Sequence, residues 1–400
     1  MIALIPFILL FVLIIIFRIP AIKSVPISLF FLVLISFFIW KMPLDIFGVS
    51  VIRGILLATE IILIIFGAIF LISVLRNTNY LSTINEFLSS INPDARIQVI
   101  ILAWLFGSLI EGVAGFGTPA AIVAPLLYSL GFSPILAVVA PLISNSLAVS
   151  FGAAGVPILI GLGSNGFSSQ VLAQTTFLTA LIHSIAGIII PLFLVYFTVN
   201  ESKVENRKRV FLEAVPFALF VWAVFIFFYL LVAYFIGSEL PSIIASLASL
   251  LICGYAAKKN FLQPKSLISF SKIKKVKHKK RKILLVLSPY FLIISFLLIS
   301  RAVLPVKNFL TSINFGFSNI LGTGTSYLFS PIYSPAFIFI ITAILFAFIV
   351  NKKEKIFPSI KDSLFKIEKP FIALIFTLIF VQILNLFFLQ FQLYLQIPLF

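Results

Sequence analysis

Long apolar runs, separated by short polar clusters, recur from one end of the chain to the other. A helix needs about 17 to 25 predominantly apolar residues to cross roughly 30 Å of hydrocarbon. On that measure the pattern predicts membrane-crossing segments near residues 1–17, 25–40, 51–75, 133–160, 174–198, 210–236, 241–257, 284–304, 331–350 and 370–389. The period-two alternation of an outer-membrane barrel is absent, so the predicted fold is an all-α polytopic membrane protein of about 10 crossings plus one hairpin. The first run, "MIALIPFILLFVLIIIF", has no basic stretch before it and no small-residue cleavage site. It reads as a retained helix and not as a signal peptide.

Residues 97–132 break the pattern. The apolar pieces "IQVIILAWLFGSLI" and "AAIVAPLLYSLG" are about 14 and 12 residues long, each short of a crossing, and between them lies "EGVAGFGTPA", Glu111 to Ala120. A re-entrant hairpin with its Gly-rich tip near mid-membrane fits this better than two spans. The next segment carries a second interruption, "SNSLAVSFGAAGVP", Ser144 to Pro157. Unwound backbone at membrane depth is tolerated only where protein buries it or where it lines a wet cavity. Two broken apolar segments at similar depth are the sequence pointer to a carrier's binding centre.

Composition strengthens the membrane reading and charge orients it. The chain of 400 residues is 62% hydrophobic, with a mean hydropathy of +1.22, against about 45–50% apolar residues in soluble domains. The net charge of +17 does not indicate nucleic acid, because the cations lie in loops between apolar runs, above all "KKNFLQPKSLISFSKIKKVKHKKRK", Lys258 to Lys282. Such loops face the cytoplasm. Parity then places 18–24, 76–96, 199–209 and 351–369 inside as well, and the N-terminus outside. Cys253 is the sole cysteine, which excludes an internal disulfide and a thiolate metal cluster. Neither a metal nor a cofactor is expected.

At this point the residues resemble a family. The stretch Ile101 to Ile158, "ILAWLFGSLIEGVAGFGTPAAIVAPLLYSLGFSPILAVVAPLISNSLAVSFGAAGVPI", closely resembles the hairpin and broken-helix region of L-lactate permeases. "LSPYFLIISFLLISR", Leu287 to Arg301, and "YSPAF", Tyr333 to Phe337, are similar to family features in the expected order. The resemblance implies a proton-coupled carrier of L-lactate and related short 2-hydroxy monocarboxylates such as glycolate, multi-pass in the cell membrane. It also implies the plan of two inverted repeats, each with a re-entrant hairpin and a broken helix. On that plan residues 1–198 form the first repeat, with hairpin 97–132 and broken helix 133–160. Residues 199–282 are a connecting helix pair and basic loop, and 283–400 are an incomplete second repeat. The second hairpin, broken helix and last helix lack a counterpart before Phe400, so the chain reads as a shortened form, as a carrier whose missing part is a separate chain, or as the product of a broken reading frame. The alternative is a non-transporting half of a two-chain carrier, with a homo-oligomer or a separate chain supplying the second hairpin.

Lactate binding at mid-membrane needs a donor array for the carboxylate, polar partners for the hydroxyl, and charge compensation. Gly115 and Gly117 allow backbone N–H groups to approach an anion, and a half-helix beginning near Thr118 and Pro119 adds its positive end. The Thr118 hydroxyl is a further donor, and Ser144, Asn145, Ser146 and Ser150 in the second interruption supply donors and acceptors. These residues are the expected substrate site. The competing reading of the glycines, including Gly112, Gly152 and Gly155, is close helix packing. An ionised carboxylate near mid-membrane costs about 3 kcal/mol even on the lenient insertion scale. Glu111 is therefore either the group that carries a proton or a brace that accepts hydrogen bonds from the loop.

Other ionisable residues are weaker candidates. Glu60 lies inside a crossing, and His183 is the only histidine in an apolar segment, more readily a packing residue than a proton relay. Arg301 ends a helix near the outer surface, where snorkelling to the headgroups is the expectation and attraction of an entering anion the alternative. "GLGSNG", Gly161 to Gly166, matches a dinucleotide fingerprint but lacks its βαβ context and reads as a turn. An intramembrane serine hydrolase pairing Ser144 or Ser108 with His183 is the rival enzyme class, without a G-x-S-x-G elbow to support it.

Overall fold

The structure, a computed structural model, describes residues 2–115, 118–163, 167–202, 204–270 and 280–395. Gly117, residues 164–166 of the Gly161 to Gly166 turn, and 271–279 of the basic run lie outside the described residues. The described chain is overwhelmingly helical. In order it forms α1 (Ile2–Ile16), α2 (Ala21–Ile39), α3 (Leu44–Asn77), the short α4 (Tyr80–Ser89), α5 (Ala95–Ala114), α6 (Thr118–Ser129) and α7 (Pro134–Gly161). There follow α8 (Ser169–Glu201), α9 (Arg207–Phe235), α10 (Pro241–Lys258), α11 (Lys280–Ala302) and α12 (Leu304–Ser312). A two-stranded ribbon, β1 (Phe315–Phe317) and β2 (Tyr327–Phe329), precedes α13 (Pro335–Ile349) and α14 (Ile356–Leu395).

Eight helices among the described residues are long and apolar enough to cross a membrane, and up to nine if the bent pair Leu287–Arg301 and Leu304–Ser312 is one span. Each of the ten expected crossings coincides with a helix, two of them, α1 and α13, being shorter apolar helices. The structure departs from expectation at three places. The arm before Glu111 is not a 14-residue piece: α5 runs for 20 residues, because the polar stretch Ala95–Gln98 is helical and buried, its side chains satisfied by protein. The crossing at 284–304 does not end smoothly, since the chain turns through 87° between Arg301 and Leu304. The ribbon was not anticipated. Phe315 faces Phe329 and Phe317 faces Tyr327 in antiparallel register, and β-branched or alternating apolar runs of conventional strand length are absent there.

The described residues divide into two compact units, those within 2–66, 308–337 and 360–395 forming one, and those within 67–307 and 338–359 the other. The first has a core of Leu29, Leu32, Met42, Val49, Ile379, Ile383 and neighbours, with Trp40 stacked on Phe387 at 4.1 Å between ring centroids. Gly54 exists there for close approach: a Cβ would lie 2.7 Å from the Ile379 backbone. Within it Tyr327 Oη donates to Glu60 Oε2 at 2.8 Å, so Glu60 serves a hydrogen bond to the ribbon.

The second unit holds both interruptions. Its helix starts are conventional: Asp94 caps α5, Ser133 with Pro134 at the first position caps α7, Ser168 caps α8 and Asn206 caps α9. The apolar window of α5 is entirely buried, whereas those of α8 and α9 are buried over only 39%. α8 and α9 therefore present an apolar face outward, as lipid-facing helices do, and α5 is enclosed by protein.

Candidate functional site

α5 and α6 fold back on each other, with Gly107 of α5 close to Pro119 near the start of α6: a Cβ on Gly107 would be 3.9 Å from that of Pro119. α5 ends where Gly115 adopts φ 63° and ψ −164°, a region essentially reserved for glycine. The Gly115 N–H donates to the Glu111 carbonyl at 2.8 Å, and its own carbonyl accepts from the Thr118 N–H at 3.1 Å and from Thr118 Oγ1 at 2.9 Å. Both Thr118 donors thus meet the Gly115 carbonyl, and the Thr118 hydroxyl is committed to it. Gly117 lies outside the described residues.

α7 is broken in its middle. Its first half ends at Ala148, a 3-10 turn covers Val149–Phe151, and Ala153, Ala154 and Gly155 are left-handed, with φ of 46°, 53° and 78°. Such backbone is sterically penalised for alanine and persists only where its surroundings over-determine it. The surroundings here are the hairpin and the start of α10. A Cβ on Gly115 would lie 2.9 Å from that of Ala153; one on Gly155 would lie 2.5 Å from the Ser238 carbonyl oxygen; one on Gly112 would lie 2.9 Å from the Ile243 nitrogen. The two interruptions thus meet in space.

Glu111 is the side chain that joins them. It is 1% exposed, and its carboxylate occupies the space beside Gly152, where a Cβ would stand 2.6 Å from Oε1. Gly152, read as a packing glycine, is the opening that admits this carboxylate to the break.

A broken helix leaves carbonyls without intrahelical donors, and side chains from three other positions fill the need. Tyr229 Oη donates to the Leu147 carbonyl at 2.6 Å, His183 Nδ1 lies 3.1 Å from the same oxygen, and Ser242 Oγ donates to the Ala148 carbonyl at 3.0 Å. Histidine 183 also has its Nε2 3.5 Å from Ser150 Oγ. Tyr229 and Ser242 carried no signal in the sequence, where a tyrosine and a serine in apolar helices are unremarkable.

The expected serines differ in what they offer. Ser144 Oγ is spent on the Ala140 carbonyl at 2.8 Å, whereas the His183 ring meets Leu147, Tyr229 and Ser150. Ser146 Oγ donates to the Ile143 carbonyl at 2.7 Å, and Ser146 lines, with His183 and Gly187, a cleft of about 300 Å³. Asn145 Oδ1 is buried and accepts no hydrogen bond from the described residues. Ser150 stands in the 3-10 turn facing His183.

Two charged clusters frame this region. At the foot of α5, Arg96 is fully buried and forks onto Asp94, Nε to Oδ1 at 2.9 Å and Nη2 to Oδ2 at 2.6 Å. Its Nη1 donates to the Val210 carbonyl at 2.7 Å and Nη2 to the Ser266 carbonyl at 2.5 Å. Glu213 Oε2 accepts from the Ser266 N–H and hydroxyl at 2.9 and 2.6 Å. The start of the basic loop is thereby fastened to α5 and α9. At the other cluster Arg301 does not snorkel: it forms a bidentate pair with Glu239, Nε to Oε2 at 2.5 Å and Nη2 to Oε1 at 2.7 Å, both side chains largely buried.

With this geometry in hand, comparison with known proteins places the chain. Residues 1–388 match the L-lactate permease family. The chain belongs to that family. It is similar to a relative in Haemophilus influenzae, 31% identical over 369 residues covering 84% of this chain and 65% of that protein. It is also similar to the L-lactate permease of Salmonella typhimurium, 36% identical over 222 residues, or 54% of this chain and 38% of that one. The glycolate permease GlcA of Escherichia coli is 34% identical over 256 residues, 62% of this chain and 43% of GlcA. The chain spans less than two thirds of the length of each of these relatives. No solved structure matches it. Family and helices together make this permease-family chain a multi-pass protein of the cell membrane.

Proposed function

We propose that the chain is a secondary carrier that moves L-lactate, and related short 2-hydroxy monocarboxylates such as glycolate, across the cell membrane together with protons. The observation that carries the reading is the Glu111 carboxylate, buried in the space beside Gly152 where the hairpin tip meets the broken helix. A buried group that gains and loses a proton as the break is remodelled is what symport requires. In this reading the hairpin is re-entrant, belongs to the first of two inverted repeats and supplies the tip. Gly115, Gly117 and the start of α6 at Thr118 receive the carboxylate from the hairpin side, while Asn145 and Ser150 attend the hydroxyl from the broken helix, and Ser144 and Ser146, whose hydroxyl hydrogens go to Ala140 and Ile143, serve only as acceptors. The buried Asn145 oxygen and the cleft at Ser146 and His183 support that assignment. The names of the relatives support the substrate class.

The test is uptake of labelled L-lactate into proteoliposomes under an inward proton gradient. Wild-type chain should accumulate L-lactate above its external concentration. Glu111→Gln, which fixes the neutral form, should retain exchange of labelled for unlabelled lactate and lose accumulation. Accumulation by the Gln variant equal to wild type rules out the proton role; no lactate-dependent proton movement in wild type rules out the carrier reading.

A further inference from the structure

We propose that Arg301 is a carboxylate-recognition residue at the outer entrance, held closed by Glu239, whose carboxylate occupies the place of a substrate's. The proposal deepens the carrier reading above and rests on it for the identity of the anion.

Three observations carry it. The first is chemical. A guanidinium meeting a carboxylate through two parallel N–H···O bonds is the geometry with which proteins recognise free carboxylates. The Arg301–Glu239 pair has it, at 2.5 and 2.7 Å. Replacing the Glu239 carboxylate with that of a small monocarboxylate preserves both bonds.

The second is energetic. The two side chains are 11% and 13% exposed. At that burial the desolvation of two charges largely offsets their attraction, so such a pair is a weak stabiliser of the fold and asks for another reason to exist. The third is mechanical. Glu239 sits in the connection between α9 and α10, which leaves α9 through Gly237 at φ 118°. The same connection rests on the broken helix: the Ser238 carbonyl and Glu239 nitrogen lie 2.5 and 3.0 Å from where a Gly155 Cβ would be. Glu239 is therefore placed by the left-handed residues of the break, and rearrangement of the break moves Glu239 away from Arg301. The charge pattern of the loops sets this connection and the end of α11 on the outer face. A resting pair excludes anions; an opened break exposes one guanidinium to an arriving carboxylate.

The experiment compares wild type with Glu239→Gln, Arg301→Gln and the double variant, each reconstituted as the full chain, reading both the external KM for L-lactate and the maximal uptake rate. Loss of charge-assisted bonds predicts a KM raised about ten- to a hundredfold in Arg301→Gln. Removal of the competing carboxylate predicts a KM lowered at least roughly threefold in Glu239→Gln, by the rise in the binding-competent fraction. The double variant, whose two amides can still hydrogen-bond and hold the fold, should keep the raised KM. A purely structural latch gives unchanged KM and a reduced maximal rate in all three, and that result overturns the proposal. Binding is read separately from transport, as the thermal stabilisation of detergent-solubilised protein by L-lactate against its uncharged amide. Stabilisation by lactate but not the amide, stronger in Glu239→Gln and absent in Arg301→Gln, supports the carboxylate site even if uptake fails. Equal stabilisation in all variants overturns it even if uptake succeeds.

Discussion

The contact between Glu111 and Gly152 allows a clean test, because the substitution that breaks it does nothing to the backbone. Gly152 has φ −67° and ψ 155°, a conformation alanine adopts freely, so Gly152→Ala acts through its added methyl alone. That methyl would lie 2.6, 3.3 and 3.4 Å from Oε1, Cδ and Cγ of Glu111. Optimal heavy-atom separation is about 3.5–4.0 Å, so the carboxyl must retreat by roughly 1 Å. Glu111 is 1% exposed, and its retreat disturbs packed neighbours. Overpacking of this kind costs about 1–3 kcal/mol, and the stiffer unfolded chain returns about 0.4–1. The expected net destabilisation is about 1–2 kcal/mol, measured by reversible unfolding in an SDS titration from mixed micelles. In a Glu111→Ala background the methyl enters vacated space, and the same substitution should be neutral or stabilising, a coupling of about 1–3 kcal/mol. An equal penalty in both backgrounds, to within about 0.5 kcal/mol, would refute the contact and the placement of Glu111 at the break with it.

Two further outcomes follow from the same geometry. Gly155→Ala meets both a positive φ and a backbone oxygen at 2.5 Å, neither of which can yield as a side chain does. It should cost about 3–5 kcal/mol in the same titration, with a loss below about 1 contradicting the left-handed break. Arg96→Ala leaves Asp94 buried and unpaired and should cost about 3–5 kcal/mol. It also releases the Ser266 carbonyl, so tryptic cleavage after Lys265 should accelerate; unchanged stability and cleavage would refute the fastening of the basic loop to α5.

Much of the helical layout was legible because the signal is local. Twenty apolar residues in a row need no partner to be recognised, and each expected crossing has its helix. The exceptions have non-local causes. The length of α5 was hidden by Arg96 and Gln98, which read as the polar end of a loop. They are helical because Asp94 caps the helix and because protein groups far along the chain, Val210 and Ser266 among them, receive the arginine. A charged residue can lie inside a buried helix only when such partners arrive, and nothing near position 96 announces them.

The candidate centre was legible in part for the same physical reason. Glycines and a carboxylate in an apolar field stand out one residue at a time, so Glu111, Gly115 and the stretch 144–157 could be picked out and expected to converge. What could not be read is which group satisfies which. Ser144 and Ser146 look like ligands in the sequence, yet a serine in a helix has its own upstream carbonyl within reach, and both take it. The carbonyls released by the break go instead to Tyr229 and Ser242, separated from them by 82 and 94 residues. Their role follows from an obligation of the backbone, since carbonyls left bare at membrane depth must find donors. The obligation can be inferred from the interruption, but the donors are chosen by packing, and packing is what brings α9 and α10 to the break.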